Sequence, residues 1–386
     1  MLQKPGGPTF ATVAMSYARE PRIAVAEIAG QLDPREACCL LVFVPEGFDL
    51  AELADRMNRR FRGVSVFGCT TAGQITPQGY ETDALLAIQL PRAHFRVASM
   101  LISPLQPLQI SQTAAAVRKL NAQFQKTAQR NRLALTFADG LSKQEDVLVV
   151  ALEEALGPLP VFGGSAGDGL HFRSTFVLHN GAFHSNAALL LLLETDLEVA
   201  GIGFDHFLPT EKRMVVTDAV PEERMVLELN GAPAAQEYAR LVGTSVAELN
   251  PRVFAENPVL VRNSSLYHVR AIQGAREDGA LTFLSAIDDG LLLTLGRGRE
   301  VLRTLDEGLA VESRSGHAPD FILGFDCILR KIEIEQKQLT AAASDILRAR
   351  KVLGFNTYGE QHCGVHVNQT FVGVAFFDPP PAGGLQ

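Results

Sequence analysis

Short apolar runs rich in Val, Leu and Phe alternate along the chain with segments whose apolar residues fall three and four positions apart. "LLVFV" (40–44), "LALTFA" (133–138) and "FILGF" (321–325) have the length and composition of buried strands. "DLAELADRMNRRF" (49–61) and "KQEDVLVVALEEAL" (143–156) carry one apolar face each and predict helices packed on a sheet. Each strand–helix pair leads to a second strand that stops at a glycine corner: "VFGCTTAGQ" (66–74) in one place and "VFGGSAGDG" (161–169) in another.

These are copies of one unit. Phe43 answers to Phe137, Gly47 to Gly140, and Phe67-Gly68 to Phe162-Gly163. A third, looser copy ends the chain, where "GFNTYGEQ" places Gly354 and Gly359 in the slots of Gly68 and Gly73. Each copy reads strand, helix, strand, glycine turn, strand. A strand–helix–strand crossover gives parallel neighbours, and the strand after the turn can return antiparallel. The expected fold is therefore α/β, a layered, mixed-sheet architecture of repeated units in two halves.

The interior differs. Residues 221–243 suggest a helix pair, or a strand followed by helices, broken at Gly231 and Pro233, and 257–298 alternates strands with Gly and Asp turns, as a β-meander would. The change of character near 218–222 puts a boundary between halves of 1–220 and 221–378, and "DPPPAGGLQ" leaves 379–386 as an expected disordered tail. Residues 327–351 read as one long, partly amphipathic helix. It is a candidate surface for a homo-oligomer or a partner protein.

Composition narrows the class. A net charge of −8 and the lack of any Lys/Arg run argue against nucleic-acid binding. The longest apolar run, 187–193, is far short of a membrane span, and the first ten residues lack the apolar core of a secretory signal, so the cytoplasm is the expected compartment, with no membrane partner. Five cysteines without a C-x-x-C pair fit a reducing environment and exclude covalent c-type haem attachment.

No enzymatic constellation assembles from these motifs. Gly163 to Gly167 spells the G-x-S-x-G of a hydrolase elbow, but turn and strand follow Ser165 where that elbow needs a helix. Cys69 has Gly164 and Phe355 in its equivalent slots, so it reads as architectural or as lining a pocket. His362, Cys363 and His366 lie close in sequence but lack the helical spacing of a zinc pair. Phosphate-loop and dinucleotide fingerprints are missing. The expectation is a protein that is not an enzyme.

Taken in order, "FGCTTAGQ", "VFGGSAGDG", "VTDA…LNGAPAAQEY", "ENPVLVRN" and "GFNTYGEQ…GVHVNQTFVGVAFF" resemble the FIST domain family, with its N-terminal and C-terminal parts, over roughly residues 10 to 378. The resemblance implies a bacterial sensor in signal transduction. Some such proteins hold haem b non-covalently, sense nitric oxide and regulate a two-component histidine kinase or cyclic-di-GMP enzymes; others were proposed to sense amino acids. A haem needs an axial ligand, and the candidates are His184 and His366 at strand entrances, then His171 and His268. Cys69, Thr70, Ser165, Arg262 and Asn263 are the candidate pocket residues. Two readings stand: a haem-based nitric oxide sensor acting on a partner signalling protein, or a haem-free module for an amino acid or similar small ligand.

Overall fold

The computed structural model describes residues 7–263, 266–362 and 364–379; the expected tail lies, from 380 onward, outside the described residues. All three copies are present, and each builds one six-stranded sheet. In sheet I the strands Ala37–Val44 and Ser65–Thr70 run parallel, joined by the helix Leu50–Arg60, and Leu85–Pro91 returns antiparallel. Sheet II repeats this with Asn131–Ala138, Val161–Ser165 and Ala188–Thr195. Sheet III repeats it with Phe321–Cys327, Val352–Thr357 and Phe371–Phe377. Two helices cover the outer face of sheets I and II and three that of sheet III, and the three inner faces meet in one shared core.

The glycine corners explain how tightly the parallel strands meet. Gly68, Gly163 and Gly354 sit opposite Val42, Thr136 and Gly324, and a Cβ at any of the three would lie 1.8 Å from the backbone carbonyl oxygen of that neighbour. No side chain fits there. At the centre, the equivalent residues Phe43, Phe137 and Phe325 converge with Phe355, with ring centroids 4.6 to 5.9 Å apart. Phe355 fills the slot that holds Cys69 in copy 1 and Gly164 in copy 2. One large, one small and one missing side chain thus share a common volume.

Each copy also has a short hairpin after its glycine corner, and it serves a different sheet. Hairpin 74–81 of copy 1 extends sheet III, hairpin 177–184 of copy 2 extends sheet I, and hairpin 360–367 of copy 3 extends sheet II. The exchange closes into a ring. It pairs the open edge of every second parallel strand.

Residues 207–298 form a separate cap over one end of the body. Its strands run in the order Leu266–Arg270, Val259–Asn263, Leu292–Gly298, Phe207–Val220, Met225–Leu229, Leu281–Phe283, Ile272–Ala275. The expected meander is thereby corrected to two hairpins at opposite edges, because the long strand Phe207–Val220 and Leu292–Gly298 occupy the middle. The 220/221 boundary falls inside this sheet, where Val220 pairs with Met225. The expected helix 327–351 is two helices, Ile328–Gln336 and Thr340–Ala349, separated by Gln338 in a left-handed conformation.

Gly163→Ala must drive the two parallel strands apart, so we expect it to cost more than about 3 kcal/mol in urea denaturation. Gly30→Ala, at an exposed position of the helix Pro21–Gln31 with nothing within 4 Å of the new Cβ, is expected to stabilise by about 0.5–1 kcal/mol.

Candidate functional site

The three hairpins are equivalent, so their residues can be compared position by position. The pairs facing the helix-covered side are Ile75–Tyr80, Leu178–Phe183 and Gln361–His366. The first two pack into the apolar layers under the helices of sheets III and I. The third is polar and just as buried, with Gln361 and His366 at most 2% exposed. At this one position the pattern of the fold is broken.

Around that pair the cap meets the body. Gln361 Nε2 donates to Ser165 Oγ at 3.0 Å and lies 3.5 Å from His366 Nδ1. The His366 ring lies on Gly359: a Cβ there would fall 2.3 to 2.7 Å from its Cε1 and Nε2. From the cap, Arg270 donates to the His366 carbonyl at 3.1 Å. Arg224 reaches Glu145 at 2.7 Å and Asp146 at 3.0 Å, at the start of the helix Glu145–Leu156. The Ala286 amide also donates to Asp146 at 3.0 Å. Asn368 and Gln369 turn their amide nitrogens onto the carbonyls of Tyr358 and Ala255.

What these groups leave over defines the chemistry. Among the described residues, Gln361 Oε1, Asn368 Oδ1, Gln369 Oε1, His366 Nε2 and Arg270 Nε are buried without a hydrogen-bond partner. The amide oxygens of Asn368 and Gln369 are fixed as acceptors, because their nitrogens already face carbonyls. Burial lowers the pKa of His366 against the opposing pull of Asp146 and Glu145, so its imidazole is neutral near pH 7. Burial would raise Asp146, but the His366 ring, then Arg224 and Arg270, with the Ala286 amide, hold it below the usual carboxylate range. A cleft of about 290 Å³ between the Glu145–Leu156 helix and the hairpin, walled by Val149, Leu152 and Pro160, reaches Gln361 but not His366.

The expected site residues scatter. His366 and Ser165 belong to this chamber. His184 does not match His366: it pairs with Val177, one register step from Phe183, and so faces the other side of its hairpin, half-buried at the edge of sheet I. His171 is exposed and pairs with Glu46 at 3.2 Å. His268 is half-buried on the Arg270 strand, its pKa lowered by burial and then by Arg270. Cys69 faces the central phenylalanines, its thiol pushed up by burial, which corrects its expected place on a pocket wall. Thr70 accepts from the Phe176 amide at 3.1 Å. Arg262 is exposed on its strand, and the side chain of Asn263 lies outside the described residues. His362 and His366 occupy opposite faces of the hairpin, since a turn separates them, and Cys363 lies outside the described residues. No group of three or more potential metal ligands occurs among the described residues.

Arg224, Arg270, Glu145, Asp146, Gln361, Asn368 and Gln369 were missed from sequence. Aligning the hairpins of the three copies would have exposed Gln361–His366 as polar where the others are apolar.

This buried polar cluster between body and cap, the chamber, is the candidate small-molecule site. The FIST N domain model matches residues 38–232 and the FIST C domain model residues 234–363. The chain belongs to the FIST family, whose domains act in signal transduction as sensors of small ligands. No curated protein matches it. Among the described residues, no helix is long and apolar enough to cross a membrane.

Behind the chamber, Glu360 accepts from the Thr357 and Thr370 hydroxyls and is fully buried, which pushes its pKa up to about 8. The unfolded chain releases this proton near 4.5, so between the two values the folded state holds one proton more and stability falls as pH rises. Glu360→Gln should flatten that slope by up to about 1.4 kcal/mol per pH unit, read as the difference from wild type in urea midpoints between pH 5 and 8.

Proposed function

We propose that this protein is a sensory module for a small zwitterionic molecule of the amino-acid class, held in the chamber between cap and body, which passes its state to a partner signalling protein. The observation that carries this is the set of buried, unpartnered atoms at the one polar hairpin. An unmade hydrogen bond at a buried polar atom costs about 1–3 kcal/mol, and a polar guest that met these five would remove that cost. Their chemistry is two-sided. Three amide oxygens suit the three N–H donors of an ammonium group. Arg270 Nε and His366 Nε2 suit a carboxylate.

The haem reading runs through His366, the most buried of the four candidate histidines. The surroundings do not fit the group. A haem face needs apolar cover, whereas Arg224, Arg270, Asp146 and Asn368 gather here. An axial histidine also donates through its second ring nitrogen, whereas His366 Nδ1 faces the Gln361 donor. The nitric-oxide reading therefore stands second.

Thermal shift against the twenty amino acids tests the first reading. A ligand at a hundred times its dissociation constant should stabilise the protein by about 2.7 kcal/mol, and His366→Ala and Arg270→Ala should abolish the shift. The reading fails if no amino acid shifts the midpoint, or if the shift survives both substitutions. A Soret band in haem-loaded protein that moves with nitric oxide and disappears in His366→Ala would put the haem reading first.

A further inference from the structure

The polar side chains of the chamber are shut off from solvent. Gln361, His366, Asn368 and Gln369 are at most 2% exposed, and the adjoining cleft stops at Gln361. A guest that uses all of these atoms enters only if something moves, and the connectivity shows what can. The chain passes from body to cap at Asp205–Phe207 and back at Gly298–Arg299, and these crossings lie side by side. Phe207 pairs with Gly298, and the Arg299 amide donates to the His206 carbonyl at 2.7 Å. The cap is thus tied to the body by one two-stranded stalk. The regular pairing of that stalk ends at Pro209, before a register break that runs to Arg213.

The base of the stalk is fixed. His206 is fully buried, with Nε2 2.7 Å from Glu333 and Nδ1 2.9 Å from Arg330, and Arg330 holds Asp326 at 2.7 Å. Beside the base, a cleft of about 580 Å³ lined by Gly298, Arg299, Val301 and Lys337 leaves the strands room to bend. The cap has its own core, running from Met214 to Leu295, separate from those of the body.

The seam between cap and body has two unlike parts. Next to the stalk it is apolar, with Phe207, Leu260, Val269 and Leu284 meeting Ile328 and Ile332. At the chamber it is polar, closed by Arg224 on Glu145 and Asp146, by the Ala286 amide on Asp146, by Arg270 on the His366 carbonyl, by Gln369 on the Ala255 carbonyl and by Lys143 on Glu223. Water competes for the second kind of contact and not for the first.

We propose that residues 207–298 are a lid, hinged on the Phe207–Pro209/Gly296–Gly298 stalk, that opens at its polar edge to admit the ligand and is latched shut by Arg224. This rests on the chamber being the ligand site, and the lid's position is then the signal a partner reads. Opening by hinge bending about a few terminal residues is an established kind of domain motion.

The test needs no ligand. Spin labels at Glu154→Cys in the body and Glu222→Cys in the cap, in a Cys38→Ser, Cys363→Ser background, report the lid position by pulsed dipolar spectroscopy. Arg224→Gln should shift the distribution to separations longer by more than about 2 Å, and the Ala286 amide should exchange with deuterium at least tenfold faster, while amides within the cap core keep their rates. Because Arg224→Gln leaves Glu145 buried and unpaired, the double variant Arg224→Met/Glu145→Gln serves as the second measurement with the same expectation. An unchanged distance distribution and unchanged Ala286 exchange in both variants overturn the lid. If the lid moves but no amino acid binds, the ligand reading falls and the lid stands; if an amino acid binds to a cap that does not move, the lid falls alone.

Discussion

The fold depends on a closed exchange of hairpins. Each copy supplies two parallel strands whose second member would expose a row of unpaired amides and carbonyls. The hairpin that covers it comes from another copy: 74–81 on sheet III, 177–184 on sheet I, 360–367 on sheet II. Removing one copy therefore opens a sheet edge in a second and strands a hairpin from the third. The glycines that press each parallel pair together serve the same constraint. On the inner faces of the same strand pairs, Phe43, Phe137 and Phe325 pack around Phe355 in the shared core.

A fold with three equivalent positions provides its own control for what packing requires. Two hairpins place an aliphatic residue and an aromatic one under the covering helices, so the position tolerates, and twice uses, apolar filling. The third places Gln361 and His366 there, at the cost of burying polar atoms that find no partner within the chain. Stability would have been served by a third pair of aliphatic and aromatic residues. The departure appears where the cap arrives with Arg224 and Arg270, and the same seam carries Glu145 and Asp146 at a helix start. The symmetric part of the molecule is its scaffold, and the asymmetric part is its candidate site.

Much of the scaffold was legible in the sequence. Strand composition, helical spacing and recurrent glycines gave three copies in the right register, down to Cys69, Gly164 and Phe355 in one slot. The exchange was not legible, because a three-residue strand such as Gln74–Thr76 carries no periodicity and nothing local says which sheet it joins. The site was half legible. His366 and Ser165 were identified, but His184 was set beside His366 by its place before a buried strand, and one register step turned it to the opposite face. Arg224 and Arg270 come from a cap whose docking depends on tertiary contacts. Their charges look like ordinary surface residues until the chain is folded.

The division of the seam explains why the cap can report on the chamber without coming apart from the body. Its apolar part, with Phe207 and Leu284 on Ile328 and Ile332, is held by burial that is indifferent to small rotations. Its polar part is directional, and Arg224 loses both carboxylates when the geometry fails. At the base, Asp326, Arg330, His206 and Glu333 form a buried chain of hydrogen bonds, to which the Tyr80 hydroxyl of hairpin 74–81 adds a bond on Asp326. That chain fastens the stalk to sheet III and to the hairpin that copy 1 donates to it. The ring of exchanged hairpins therefore does two things: it ties the three sheets of the body together, and it gives the cap of the proposed lid a point to turn against.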